Sequence, residues 1–207
     1  AFDGDADRLV VVDEKGNPIH GDKLLGKLAT FLQSQNRLTN QGVCVTVMSN
    51  QALEDYLEKA KIKTYRCDVG DKNVLECLYR EKIAFGGEQS GHIILSDFAK
   101  TGDALVAALA VMNCVLTEKQ KVSKLFNAFE LYPQLLHNMK IDNKIPLSEL
   151  KGYTELVEAC EAKKIRVLIR YSGTENLLRI LLEGRDEKEL EEYMEKAVKF
   201  FKSALNE

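Results

Sequence analysis

Apolar positions along the chain switch between two spacings, and the switches mark its elements. Leu24, Leu25, Leu28, Ala29, Phe31 and Leu32 recur at helical spacing, which predicts a helix from about Asp22 to Gln35. The run Val43 to Met48 predicts a buried strand. Ser49 or Asn50 then caps a helix carrying Leu53, Tyr56, Leu57 and Ala60. Thr64 to Val69 reads as a strand, Val74 to Arg80 as a short helix, and Ile83–Phe85 and His92–Leu95 as strands around a glycine-rich turn. Before all of these, Leu9–Val12 has strand character and Glu14–Pro18 has turn chemistry, which predicts a hairpin reaching Ile19.

Asp103 to Leu116 is apolar almost all round, so a deeply packed helix is expected there, followed by a helix near Val122 to Phe129. A boundary is expected at about residue 135. Beyond it the order is strand (Leu135–Ile141), helix (Leu147–Lys163), strand (Arg166–Arg170), loop, strand (Leu177–Leu182) and helix (Asp186–Leu205). Asp186 and Glu189 open the last helix in the manner of a capping box. The expected fold class is α/β: a mixed-sheet α/β domain followed by a small α+β domain.

Composition narrows the function classes. The 207 residues are 45% hydrophobic and 29% charged, enough for a packed core and against wholesale disorder. A formal charge of -3 provides no global basic field for nucleic acid or anionic membranes, so neither is expected as a partner and any anion site must be local. No apolar run approaches a membrane span, and no signal-type segment opens the chain. The five cysteines, Cys44, Cys67, Cys77, Cys114 and Cys160, include no CxxC pair and are expected as reduced core thiols. His20, His92 and His137 are scattered, which disfavours a histidine-rich metal site.

Three short stretches carry chemistry. In Asp3–Gly4–Asp5–Ala6–Asp7–Arg8, alternate carboxylates point the same way, and Gly4 and Ala6 leave room for the backbone to curl around one cation. Hard oxygen ligands suit Mg²⁺ or Ca²⁺. An EF-hand is excluded, because Arg8 stands where that loop needs glycine and a strand-forming run follows it. The alternative is an acidic surface turn, in which three like charges would repel. In Gly86–His92, glycines flank Glu88 and Ser90, whose hydrogen-bonding capacity suits sugar hydroxyls, and His92 could transfer a proton near neutral pH. A solvated hairpin explains that stretch about as well. In Arg170–Tyr171–Ser172–Gly173–Thr174–Glu175–Asn176, a guanidinium, two hydroxyls and backbone N–H groups around a glycine make an anion cradle, with Arg179 just beyond. A plain polar hairpin loop is the alternative.

Taken together and in this order, the three motifs resemble those of the α-D-phosphohexomutase superfamily: DGDADR is similar to its magnesium loop, GEQSGH to its sugar-binding loop and RYSGTEN to its phosphate-binding loop. Gln89, the segment Val47–Asn50 and the segment Val69–Glu76 favour its bacterial amino-sugar branch over the phosphomannomutase/phosphoglucomutase branch. The resemblance implies a cytoplasmic enzyme of four domains. Residues 1–20 would be the tail of the second domain, 21–134 a sugar-binding third domain and 135–207 a phosphate-binding fourth. A catalytic phosphoserine would lie in the missing N-terminal domains, so this chain alone is expected to be inactive.

By the same resemblance, Asp3, Asp5 and Asp7 would hold Mg²⁺, and Arg8 would sit beside the phosphoserine. Glu88, Ser90 and Lys72 would contact a phosphosugar, with His92 as its proton shuttle. Arg170, Ser172, Gly173, Thr174 and Arg179 would clamp the non-reacting phosphate. The implied reaction interconverts glucosamine 6-phosphate and glucosamine 1-phosphate through a bisphosphate, for cell-wall amino-sugar nucleotide synthesis, and a homodimer is compatible with it. Departures are Tyr171 and Asn176, where many relatives carry proline, and Lys72 in place of an arginine, which loses a bidentate fork. The rival readings are a phosphomannomutase or phosphoglucomutase fragment and a non-catalytic phosphosugar-binding module.

Overall fold

Every residue of β1 (Gly42–Thr46) is buried in the computed structural model, which describes residues 1–205. Only a central strand covered on both faces allows this. The chain divides into two units, Ala1–Leu131 and the part from Tyr132 onward. In the first unit β1 runs parallel to β2 (Lys63–Cys67) and to β3 (Phe85–Gly87), and β4 (Ile93–Leu95) closes the sheet antiparallel to β3, giving the order β2-β1-β3-β4.

Side chains alternate across this sheet. Val43, Val45, Phe85, Ile93 and Leu95 share a core with α1 (Gly21–Ser34), α2 (Gln51–Lys59) and α4 (Ala104–Glu118). Cys44 and Ile94 face the other way, into a smaller core under α3 (Asp71–Glu81). The result is a three-layer α/β unit. Cys44, Cys77, Cys114 and Cys160 are buried thiols and Cys67 is half-buried; burial pushes Cys114 up to about 11.

Asp22 ties two of these helices together. It has no exposed surface, and its Oδ2 accepts a 2.8 Å hydrogen bond from the Asn50 N–H. Asn50, not Ser49, caps α2, accepting from the Ala52 N–H. Burial pushes the Asp22 carboxyl up, opposed by the Asn50 N–H. A carboxyl raised in the folded state contributes stability that is complete below its unfolded value and is lost as pH rises through the raised one. Thermal melts of Asp22→Asn and the parent chain should therefore diverge, the variant gaining relative to the parent as pH climbs above 4. Parallel melting curves across pH 4 to 7 would contradict this.

The first unit departs from expectation in three places. Leu9–Val12 is not a strand: residues 1–19 form a ribbon joined by isolated antiparallel bridges, Phe2 to Leu9 and Val12 to Pro18. Turns at Asp3–Ala6 and Asp13–Gly16 leave too few residues for a ladder, and Val10 and Val12 lie exposed. The expected hairpin turn does form, with the Asp13 N–H donating to the Asn17 carbonyl. Secondly, α4 is not packed all round. Ala104, Ala107, Val111 and Cys114 are buried, whereas Leu105, Leu109, Met112 and Leu116 stand exposed on its other side. Thirdly, the helix expected to reach Phe129 is the single turn α5 (Val122–Leu125); Phe129 instead stacks on Tyr56 at 4.8 Å.

The second unit is an antiparallel sheet, β5 (Gln134–Lys140), β7 (Leu177–Glu183) and β6 (Arg166–Tyr171), with β7 in the centre. Its core joins Leu178, Ile180 and Leu182 to Leu190, Met194, Ala197 and Phe201 of α7 (Glu187–Leu205). Asp186 caps α7 through the Lys188 and Glu189 N–H groups, but the Glu189 side chain reaches Lys163 at 3.0 Å and does not complete a capping box. The helix expected over 147–163 is split: a 3₁₀ turn at Leu147–Glu149 precedes α6 (Tyr153–Ala162), because Gly152, at φ 95°, interrupts it.

Candidate active site

The carboxylate stretch curls at Ala6. Its φ of 58° is left-handed, which costs a non-glycine residue about 1–2 kcal/mol. Two bonds hold it there: the Ala6 N–H donates to the Asp3 carbonyl, and the Ala6 carbonyl accepts from the Ala104 N–H at the start of α4. The curl brings carboxylate oxygens of Asp3, Asp5 and Asp7 within 4.8 Å of one another. Arg8 sits over them, its Nε 3.5 Å from Asp3 Oδ2 and 3.7 Å from Asp7 Oδ1. Its backbone N–H donates to Asp3 Oδ1, which holds the Asp3 carboxyl below the usual range. Asp7 Oδ1 is buried and has no hydrogen-bond partner among the described residues. Converging carboxylate oxygens from three residues, with an unpartnered buried oxygen on Asp7, fit a divalent cation such as Mg²⁺.

A backbone seam joins this ribbon to the loop between β3 and β4. The Leu9 N–H donates to the Gly91 carbonyl at 3.0 Å, and Arg8 and His92 form an antiparallel bridge. Gly91 turns the loop at φ 91°, and a Cβ there would lie 2.3 Å from the Leu9 carbonyl oxygen. Glu88 is oriented from two sides: Oε1 accepts from the Gly70 N–H at 2.8 Å, and Oε2 accepts from the Ser90 hydroxyl at 3.2 Å. Ser90 is exposed. Lys72, on the first turn of α3, is 83% exposed and pairs with Glu76 at 3.7 Å.

His92 does not face the open side of this loop. It is 3% exposed, with Nδ1 3.1 Å from Asp7 Oδ2. Its Nε2 is buried without a hydrogen-bond partner among the described residues, and the ring lies so close to Gly102 that a Cβ there would fall 2.2 Å from it. The ring is thus directed at the carboxylate cluster. Neither Gly102 nor Asp22 belongs to one of the three motifs, and neither carries a sequence signal of its own.

The other expected residues gather in the second unit. Arg170 and Arg179 are direct cross-strand partners on β6 and β7. Like charges so placed repel unless an anion joins them. Arg179 reaches Glu175 at 3.5 Å, and its Nε is buried without a hydrogen-bond partner among the described residues. Ser172 is 3% exposed and its N–H closes the loop onto the Leu177 carbonyl at 2.8 Å. Gly173 and Thr174 stand exposed at the tip, and nothing lies within 4 Å of a Cβ built on Gly173.

A three-layer α/β unit bearing a carboxylate cluster beside a polar turn is thus followed by an α+β unit bearing an arginine-flanked loop. The model of phosphoglucomutase/phosphomannomutase α/β/α domain III matches residues 20–132, and that of the C-terminal domain of the same proteins matches 112–200. The chain belongs to the phosphoglucomutase/phosphomannomutase family. It is 54% identical to the phosphoglucosamine mutase of Aliarcobacter butzleri and 56% identical to that of Helicobacter pylori strain Shi470, in each case over 99% of this chain and 46% of the relative. The chain thus spans about half the length of the curated relatives it matches. Among solved structures, the Aspergillus fumigatus N-acetylphosphoglucosamine mutase in complex with GlcNAc-6P and magnesium superposes with a TM-score of 0.77 over 99% of this chain and 48% of that one, at 19% identity. A phosphoglucomutase/phosphomannomutase family protein of Burkholderia thailandensis superposes with a TM-score of 0.74 over 99% of this chain and 46% of that one, at 20% identity. Both show the same fold. Among the described residues no helix is long and apolar enough to cross a membrane.

Proposed function

We propose that this chain supplies the cation-binding, sugar-binding and phosphate-binding half of a cytoplasmic phosphoglucosamine mutase, which interconverts glucosamine 6-phosphate and glucosamine 1-phosphate. The observation that carries the reading is the seam from Leu9 to Gly91, which sets three converging carboxylates beside the Glu88–Ser90 turn. The 54% to 56% identity with proteins named phosphoglucosamine mutase supports the substrate. We assign residues 1–20 to the end of a preceding domain, 21–134 to the sugar-binding domain and 135–207 to the phosphate-binding one. The remaining domains of the parent chain would contribute the phosphoserine.

Asp3, Asp5 and Asp7 would hold Mg²⁺, which when bound offsets negative charge on a phosphoryl group in transfer. Arg8 adds a fixed positive charge at the same place. Glu88, held by Gly70 and Ser90, presents an acceptor in one orientation, so a sugar hydroxyl meets a preorganised partner. Arg170 and Arg179 balance the charge of the distal phosphate, and the Gly173 and Thr174 N–H groups and the Thr174 hydroxyl donate to its oxygens. We assign His92 to the support of Asp7, on its 3.1 Å contact and its burial, in preference to the proton-shuttle role expected from its motif.

The test is a comparison of kcat/KM for the full-length parent on the 6-phosphates of glucosamine, mannose and glucose. The glucosamine substrate is expected to lead by at least tenfold, and the 207-residue chain alone should show no turnover. A lead by mannose or glucose 6-phosphate would overturn the assignment, as would a parent without activity on any of the three.

A further inference from the structure

The segment 141–146, between β5 and the 3₁₀ turn at Leu147–Glu149, is irregular, and no motif falls on it. It nevertheless straps the Ser172–Asn176 loop at two points and the adjoining end of β6 at a third. The Ile141 N–H donates to the Asn176 carbonyl at 3.1 Å, the Tyr171 hydroxyl donates to the Ile145 carbonyl, and the Lys144 ammonium donates to the Ser172 carbonyl at 2.7 Å. The last is the only one that brings a charge.

Its position within the loop matters. The Ser172 carbonyl belongs to the same peptide unit as the Gly173 N–H. There are no cis peptide bonds among the described residues, and in a trans peptide C=O and N–H point in opposite directions. Holding the carbonyl towards Lys144 therefore turns the Gly173 N–H the other way. Among the described residues neither the Gly173 nor the Thr174 N–H has a hydrogen-bond partner, so both amides, at an exposed tip, are open to an incoming anion. An ammonium on the carbonyl also polarises the peptide and strengthens its N–H as a donor.

We infer that Lys144 is a positioning residue for the anion cradle: it fixes and polarises the Ser172–Gly173 peptide so that the Gly173 N–H is presented to a phosphate oxygen. This deepens the reading of Arg170–Thr174 as a phosphate site and rests on it. Lys144 acts through the peptide, on the side away from the anion.

The experiment is an amide-resolved NMR titration of the 207-residue chain with inorganic phosphate, on the parent sequence, Lys144→Met and Lys144→Arg. In the parent sequence, saturable shifts are expected at Gly173 and Thr174. In Lys144→Met the Gly173 amide resonance should move upfield before any phosphate is added, and phosphate affinity should fall about fivefold to tenfold, the scale of one hydrogen bond of ordinary net strength, because Lys144 acts on the anion only through the peptide. Lys144→Arg, which keeps a charged donor, should restore affinity to within about twofold of the parent. Matching dispersion of the β5–β7 amides in the variants shows that the sheet is intact. If the parent sequence shows no saturable shift at the loop, the phosphate-site reading falls and takes this inference with it. If the parent sequence binds and Lys144→Met binds equally well, or if Lys144→Arg fails to restore binding, the positioning role alone is overturned.

Discussion

Replacing Gly91 by alanine should destabilise the first unit by about 2–5 kcal/mol while leaving the second unit untouched. Two independent costs add. At φ 91° an L side chain is strained by about 1–2 kcal/mol. The new Cβ would also lie 2.3 Å from the Leu9 carbonyl oxygen, and overpacking against groups that cannot yield costs about 1–3 kcal/mol. The obstacle is backbone, and it is anchored, since the Leu9 N–H is itself bonded to the Gly91 carbonyl. Relief requires parting the ribbon from the loop, and with it the carboxylates from Glu88. Gly173→Ala is the matched control: nothing lies within 4 Å of its Cβ, so stability should change by less than about 0.5 kcal/mol. Hydrogen exchange separates the two units. Protection of the β1 amides should collapse in Gly91→Ala and that of β6 should hold. Unchanged β1 protection would mean that the seam does not bear on the stability of the unit.

How far the chain could be read in advance depends on what each signal measures. Helical periodicity reports which positions are apolar, not what covers them. It therefore placed α1 and α7 well, where one face is buried and the other polar, and misjudged α4, whose two apolar faces are chemically alike although only one meets the core. β-propensity at Leu9–Val12 was real, but a strand also needs a neighbour long enough to pair with, and two turns prevent that. In the second unit a single glycine at positive φ split a pattern that was apolar enough to be continuous. The candidate site follows the same logic: its motifs are local in sequence, so the carboxylates, Glu88 and the Ser172 loop stand out in the chain as candidates. Asp22, Gly102 and Lys144 act on partners 28, ten and 28 residues away, through burial or a carbonyl, and no local pattern announces such contacts.

His92 is where chain-local and structural readings give different experimental answers. A proton shuttle must reach a sugar hydroxyl, and its loss should reshape the pH profile of turnover while leaving the demand for Mg²⁺ alone. A residue that orients a carboxylate ligand should do the reverse. The ring is buried, directed at Asp7 through Nδ1 and backed by Gly102, so the second behaviour is expected. In the full-length parent, His92→Ala should raise the Mg²⁺ concentration for half-maximal activity and lower turnover by about 10–100-fold, the usual scale for removing a group that holds a metal ligand. KM for the sugar phosphate should stay within about twofold, because Glu88 and Ser90 keep their own supports. Calorimetric titration of Mg²⁺ into the 207-residue chain gives a readout free of turnover, and His92→Ala should weaken that binding in the same sense. His92→Asn, whose amide can still donate to Asp7 at shorter reach, should recover part of the Mg²⁺ affinity, whereas a lost proton shuttle would gain nothing from an amide. A flattened pH profile with unaltered Mg²⁺ demand would restore the shuttle and remove His92 from the support of Asp7.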